Sequence, residues 1–189
     1  MKARKVKGID PAGPLADGAE RIVRVRLDEL WSFMPRALED MDALHDMRIA
    51  AKRLRYALEV TGGCFGPYAG TAVKHAKSLQ DVLGEIHDAD EHLPEVRALR
   101  DEALAADAAA AAGDPAALEA APHRAAWPGL LALEVHLRGR REALLADFQA
   151  LWQDLERKGY RSRLEYALTE RSHGVHDEPP PGDIISSGT

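Results

Sequence analysis

Apolar positions along the chain recur with helical rather than strand periodicity. From Leu15 onward, Ile22, Val25, Leu30 and Phe33 fall on one helical face. This predicts a helix over 15–36 that ends near Pro35, whose ring and missing N–H oppose continuation. Residues 41–60 contain no Gly or Pro and predict a second helix. Thr61-Gly62-Gly63 stops it, and Gly66-Pro67 prolongs the turn. A third helix is expected over 68–87, with room to run on to 91. Pro94 suits the first turn of a fourth, which passes through the alanine-rich stretch 103–112 and ends at Gly113-Asp114-Pro115. A short helix is expected at 116–121. A long one should run from Pro128 to near Lys158, with Gly159 as its C-terminal cap, and a last one over 160–170. No segment keeps period-two alternation with β-branched residues, so no strand is expected. The fold class that follows is all-α, an antiparallel bundle of about five to six helices. Residues 1–14 form a basic extended arm, 15–171 the helical domain, and 172–189, with Pro179-Pro180-Pro181 and a Ser/Gly/Thr ending, a disordered tail.

Composition narrows the function. At 189 residues the chain is long enough to bury a sizeable core. Its single cysteine, Cys64, rules out an intrachain disulfide framework and argues against a cysteine zinc site. No apolar run reaches the roughly 18–20 residues of a membrane span, so no membrane partner is expected. The basic start MKARKVKGIDP is followed by no apolar stretch, unlike a secretory signal, and the expected address is the cytoplasm. A net charge of −6 speaks against a general charge-driven nucleic-acid binder. The charge is uneven, however. Residues 1–79 carry 14 Lys/Arg against 10 Asp/Glu, and residues 80–189 carry 11 against 21. A polyanion partner on the basic half would account for that split, as would ordinary solvated helix faces.

One stretch of the second helix concentrates the cations. At 100° per residue, His45, Arg48, Lys52 and Arg55 share an arc of about 80° and rise about 15 Å along the helix. Met47, Ala51, Leu54 and Leu58 form the neighbouring apolar face; Ile49 and Tyr56 flank the stripe on the other side. Arg53 points away. Like charges so close repel one another, so either carboxylates of neighbouring helices or a bound polyanion must offset them. Arg suits bidentate phosphate contacts and Lys point-charge contacts. An imidazole beside phosphate gains a proton, so affinity should rise below about pH 6.5. Tyr56 either packs or offers its hydroxyl to phosphate. On the next helix Lys74, Lys77, Asp81, Gly84 and Asp88 share an arc, with Gln80 at its edge. If that face meets the first, the lysines extend the cluster, the aspartates orient arginines, and Gly84 lets the helices approach closely.

These two stretches carry a family likeness. Leu44-His-Asp-Met-Arg-Ile-Ala-Ala-Lys-Arg-Leu-Arg-Tyr-Ala-Leu-Glu59 resembles the signature of the CHAD family, the conserved histidine α-helical domain. Lys77-Ser-Leu-Gln-Asp-Val-Leu-Gly-Glu-Ile-His-Asp88 resembles its second signature. The strong part of the resemblance covers 44–90. It implies a helical bundle that binds inorganic polyphosphate in a basic central groove, without catalysis and without a cofactor. The family's His, Arg and Lys set is matched here by His45, Arg48, Lys52 and Arg55, with Arg53 secondary. Lys77 is the analogous residue of the second motif, and Lys74 is added from geometry alone. Many such domains contain two related halves, each with a basic motif. A second His-x-x-Arg-x-x-x-[Lys/Arg]-x-x-Arg is absent here, since His136 is followed at +3 by Gly139. Arg138 and Arg141 on the long helix would supply a reduced opposite wall, or a homodimer would pair two stripes. No specific nucleic acid is expected as a partner, because aromatic stacking platforms are sparse. Targeting to polyphosphate granules, regulation of phosphate stores and scaffolding are equally open as purposes.

Two other function classes stand beside this one. His45-Asp46, His75 and His87-Asp88 provide the residue types of a metal-dependent HD-type phosphohydrolase. Against it, Arg48 and Lys52 repel a cation beside His45, and consecutive residues of the run His87 to His92 do not face one point. The third class is an interaction scaffold whose basic stripe is locked in internal ion pairs with the acidic second half. Thr61-Gly62-Gly63 lacks the downstream Gly-Lys-Ser/Thr of a phosphate-binding loop. Trp31, Trp127 and Trp152 sit among apolar helical positions and read as packing anchors. The arm residues Lys2, Arg4, Lys5 and Lys7 are either a solvated terminus or a strap that closes over the polyanion.

Overall fold

Helix formation follows the local chemistry of the chain. The computed structural model describes residues 2–34 and 40–170. Among them the backbone forms α1 (Leu15–Trp31), α2 (Met41–Thr61), a 3₁₀ turn (Gly62–Cys64), α3 (Tyr68–Ala111), α4 (Pro115–Glu119), α5 (Trp127–Arg157) and α6 (Tyr160–Ala167). The all-α reading therefore holds among the described residues. Asp40 caps α2 by accepting a hydrogen bond from the Asp42 amide at 3.0 Å, and Asp114 caps α4 in the same way through Ala116. Gly159, with φ of 64°, makes the left-handed corner between α5 and α6. The helix expected to reach residue 36 stops at Trp31. Pro35 and Arg36, like the tail from Ser172, lie outside the described residues.

Pro94 corrects one expectation. It does not open a new helix but lies inside α3, which runs unbroken for 44 residues. Proline removes one hydrogen bond and crowds the preceding turn, yet burial recurs on both sides of it at Ile86, Ala89, Leu93, Val96 and Ala103. Packing of that face against α5 carries the helix through. The segment from 68 to 111 thus becomes a single long spine, with α2 and α5 both packed on it and α1 packed on α2.

The core lies where these helices meet. Val23, Leu27 and Leu30 of α1 pack with Met47, Ala50, Leu54 and Leu58 of α2, Leu79, Leu83 and Ile86 of α3, and Phe148, Trp152 and Leu155 of α5. Trp31 stacks on Tyr160 at 5.4 Å between ring centroids and meets Trp152 at 4.7 Å. The buried Tyr160 hydroxyl donates to the Ala72 carbonyl at 3.1 Å, tying α6 to α3. Burial pushes the Tyr160 hydroxyl far above its ordinary value, so it remains a donor. The apolar face of α2 is thereby locked inward. The stripe that carries His45, Arg48, Lys52 and Arg55 is left at the α2–α3 seam and the solvent beside it.

Candidate functional site

The two stretches singled out in the sequence meet in antiparallel register. His45 faces His87, with Nδ1 to Nδ1 at 3.3 Å and ring centroids 4.6 Å apart. One turn on, Arg48 lies over Gly84, where a Cβ would stand 3.6 Å from Arg48 Nε. Two turns further, Arg55 Nε donates to Gln80 Oε1 at 2.9 Å. The spacing 80, 84, 87 on α3 thus answers 55, 48, 45 on α2, as antiparallel helices require. Gly84 is the close-approach residue that the sequence suggested.

The cations of the stripe differ in how they are offset. Arg55 is the most engaged: besides Gln80 it bonds Glu59 at 2.6 Å and lies 4.4 Å from the centre of the Tyr56 ring. Lys52 is exposed, and its ammonium sits 5.8 Å from the centre of the same ring. Arg48 Nε is buried and has no hydrogen-bond partner among the described residues. No carboxylate among the described residues lies within ion-pair distance of Arg48 or Lys52. Arg53 is half-buried and Tyr56 exposed, turned to the flank of the stripe. Lys74 and Lys77 are both exposed on α3, and Lys77 bonds Asp81 at 2.7 Å. Asp81 therefore serves a lysine of its own helix, and the residue that orients an arginine is Gln80.

Arg138 and Arg141 are placed differently from an open opposite wall. Arg138 bonds the buried Glu134 at 2.6 Å, alongside Arg97 at 2.8 Å and Arg100. Arg141 bonds Asp90 of α3. The Arg97 hydrogen bond, with the charges of Arg100 and Arg138, holds the Glu134 carboxyl below its usual range. Arg141 is thus a cross-link from α5 to α3, while Arg138 is held by Glu134 of its own helix, four residues before it.

Of the histidines weighed for metal chemistry, His45 and His87 meet and His75 stands apart. His75 packs edge-on against Tyr160 at 5.8 Å, where burial and then the nearby Lys158 lower its pKa. Among the described residues no group of three or more His, Cys, Asp or Glu side chains is arranged to hold a metal ion. No helix among them is long and apolar enough to cross a membrane. The basic arm is tethered: the Arg4 amide donates to Glu29, its carbonyl accepts from Arg26 at 3.0 Å, and Glu29 also bonds Arg26.

Sequence reasoning did not bring His87, Glu91 and Glu59 to the stripe as working parts. The signal for His87 and Glu91 was the spacing 80, 84, 87, 91, a second helical stripe that overlaps the α3 motif. Glu59 stands four residues after Arg55, a standard helical pairing distance.

Gly84 gives a test with two signs. Gly84→Ala should stabilise the chain by up to about 1 kcal/mol, because helix propensity rises and the added methyl makes ordinary contact with Arg48. Gly84→Leu should displace Arg48 and prise at the seam. Thermal melts of both variants check this; equal destabilisation by the two would contradict the geometry.

A family model described as CHAD domain matches residues 3–97 of the chain. No curated protein and no solved structure matches it.

Proposed function

This chain belongs to the CHAD domain family, and from that premise we propose that it binds inorganic polyphosphate along the α2 stripe without chemical conversion. The observation that carries the reading is the pair Arg48 and Lys52: two neighbouring cations of one helix face, one with a buried donor left unpartnered, neither offset by a carboxylate among the described residues. A buried unsatisfied donor is costly and uncommon. A phosphate oxygen would relieve it and the like-charge repulsion together. Arg55, positioned by Gln80, extends the row, and Lys52 supplies a point charge at the rim. His45 adds a ring nitrogen at the other end. Arg53, Tyr56, Lys74 and Lys77 are peripheral contributors in this reading. Arg138 and Arg141 enter only if a ligand exchanges with Glu134 or Asp90. The polymer's repeating charge matches a row of cations better than a single phosphate does. The proposed address is the cytoplasm, at polyphosphate granules.

The scaffold reading draws its own support from the neutralised part of the cluster, namely Arg55 with Glu59, Lys77 with Asp81, Arg138 with Glu134 and Arg141 with Asp90. Calorimetric titration of long-chain polyphosphate separates the two. Polyelectrolyte binding through three to four contacts should weaken about 20- to 150-fold between roughly 50 and 200 mM salt, by analogy with nucleic acids. Absence of heat and of competition at the lower salt would overturn the polyphosphate reading and leave the scaffold.

A further inference from the structure

We propose that the His45–His87 pair makes polyanion binding proton-linked, the complex taking up a proton from solvent at His45 Nε2. The inference rests on the polyphosphate reading of the same face and adds its regulation.

The Nδ1 to Nδ1 contact at 3.3 Å needs one ring to donate and the other to accept. His87 Nε2 lies 3.4 Å from a Glu91 carboxylate oxygen, four residues along α3. The carboxylate charge at that distance favours a proton on His87 Nε2, which leaves His87 Nδ1 as the acceptor. His45 must then carry its proton on Nδ1. Its Nε2 is left as a lone pair at the end of a row of cations. That is the wrong polarity for an oxyanion. A phosphate oxygen at His45 Nε2 requires a proton there, and the imidazolium formed keeps its Nδ1–H bond to His87. A second positive charge on the pair would need a proton on His87 Nδ1, which would remove the acceptor and set two cations face to face. The pair therefore takes up at most about one proton per bound site.

The surrounding charges give the coupling its direction. On α2, the charged residues next to His45 along the helix are Asp42, Asp46 and Arg48. On α3, a Glu91 carboxylate oxygen stands 3.4 Å from His87 Nε2, and Asp88 is exposed. α1, which also packs on α2, brings Glu29, whose carboxylate is already bonded to Arg26 and the Arg4 amide. A polyanion along the stripe brings negative charge up to His45 and so favours a proton there in the complex. His87 is a positioning residue here: it acts on the ligand only through His45.

The test is calorimetric titration of long-chain polyphosphate into the full chain at about pH 7, in buffers of different ionisation enthalpy. The slope of observed enthalpy against buffer enthalpy counts protons. The expected result is an uptake above zero and below about one, with affinity falling as pH rises. His87→Phe should flatten that pH dependence while salt-sensitive binding persists. His87→Asn, whose amide oxygen still accepts from His45 Nδ1, should restore part of it, and His45→Asn should abolish uptake even if a His87 variant fails to fold. Salt-sensitive binding with no buffer dependence overturns the proton linkage and leaves the polyphosphate reading standing. Uptake unchanged in folded His87→Phe overturns the role of the pair. Absence of any binding overturns both.

Discussion

Replacing Arg48, Lys52 and Arg55 together by alanine should cost polyphosphate affinity roughly a hundred- to a few-thousand-fold, with the fold retained. The three positions are not equal. A charge-assisted hydrogen bond from a partly buried group contributes about 1.5–3 kcal/mol, and Arg48, with its buried unpartnered Nε, falls in that class. Lys52 is exposed and screened, which limits it to about 0.2–1 kcal/mol. Arg55 must first leave Glu59, at 2.6 Å, so its net share lies near about 1 kcal/mol. The sum is about 3–5 kcal/mol, at about 1.4 kcal/mol for each tenfold. Arg48→Ala alone should carry most of it. Glu59→Gln serves as the opposite control, since it frees Arg55 and should tighten binding a few-fold. Calorimetry at low salt, with circular dichroism to establish folding, checks the series. Unchanged affinity in the folded triple variant would place any polyanion site elsewhere.

The second large effect is on stability. Trp152→Ala should lower it by about 3–5 kcal/mol, about a fifth or more of what a domain typically has. The indole is 2% exposed and bridges Trp31 of α1 and Phe148 of its own helix. Its truncation opens a cavity where α1, α5 and α6 converge. Its Nε1 has no hydrogen-bond partner among the described residues, so packing rather than polarity accounts for the loss. Trp152→Phe should accordingly be milder. Urea unfolding measures both as a drop in midpoint. Saturating polyphosphate should recover part of the drop if only the folded chain binds it. A shift below about 1 kcal/mol in Trp152→Ala would mean that the site collapses around the cavity.

α2 is divided into two faces, one built into the core and one left at the α2–α3 seam with the solvent beside it. Electrostatic repulsion along the open face is tolerated because burial of Met47, Ala50, Ala51, Leu54 and Leu58 holds the helix in place. Binding and stability should therefore be separable by mutation in this protein, with core variants moving the melt and stripe variants moving affinity.

What the amino-acid sequence determined by itself is whatever depends on neighbours along the chain. The helical class, the cap at Asp40, the corner at Gly159 and the alignment of His45, Arg48, Lys52 and Arg55 all follow from a period of 3.6 and local propensity. Tertiary structure decided everything that depends on a partner from another helix. The α2–α3 register set His45 against His87 and Arg55 against Gln80. The packing of α5 on α3 gave Arg141 to Asp90 instead of to an open wall, and the same packing carried α3 straight through Pro94, where propensity alone calls for a stop. The reason is physical: a helix wheel fixes the angle of each side chain about its own axis, but which charge it meets across a seam depends on how two buried faces slide together, and that is set by the summed packing of the core.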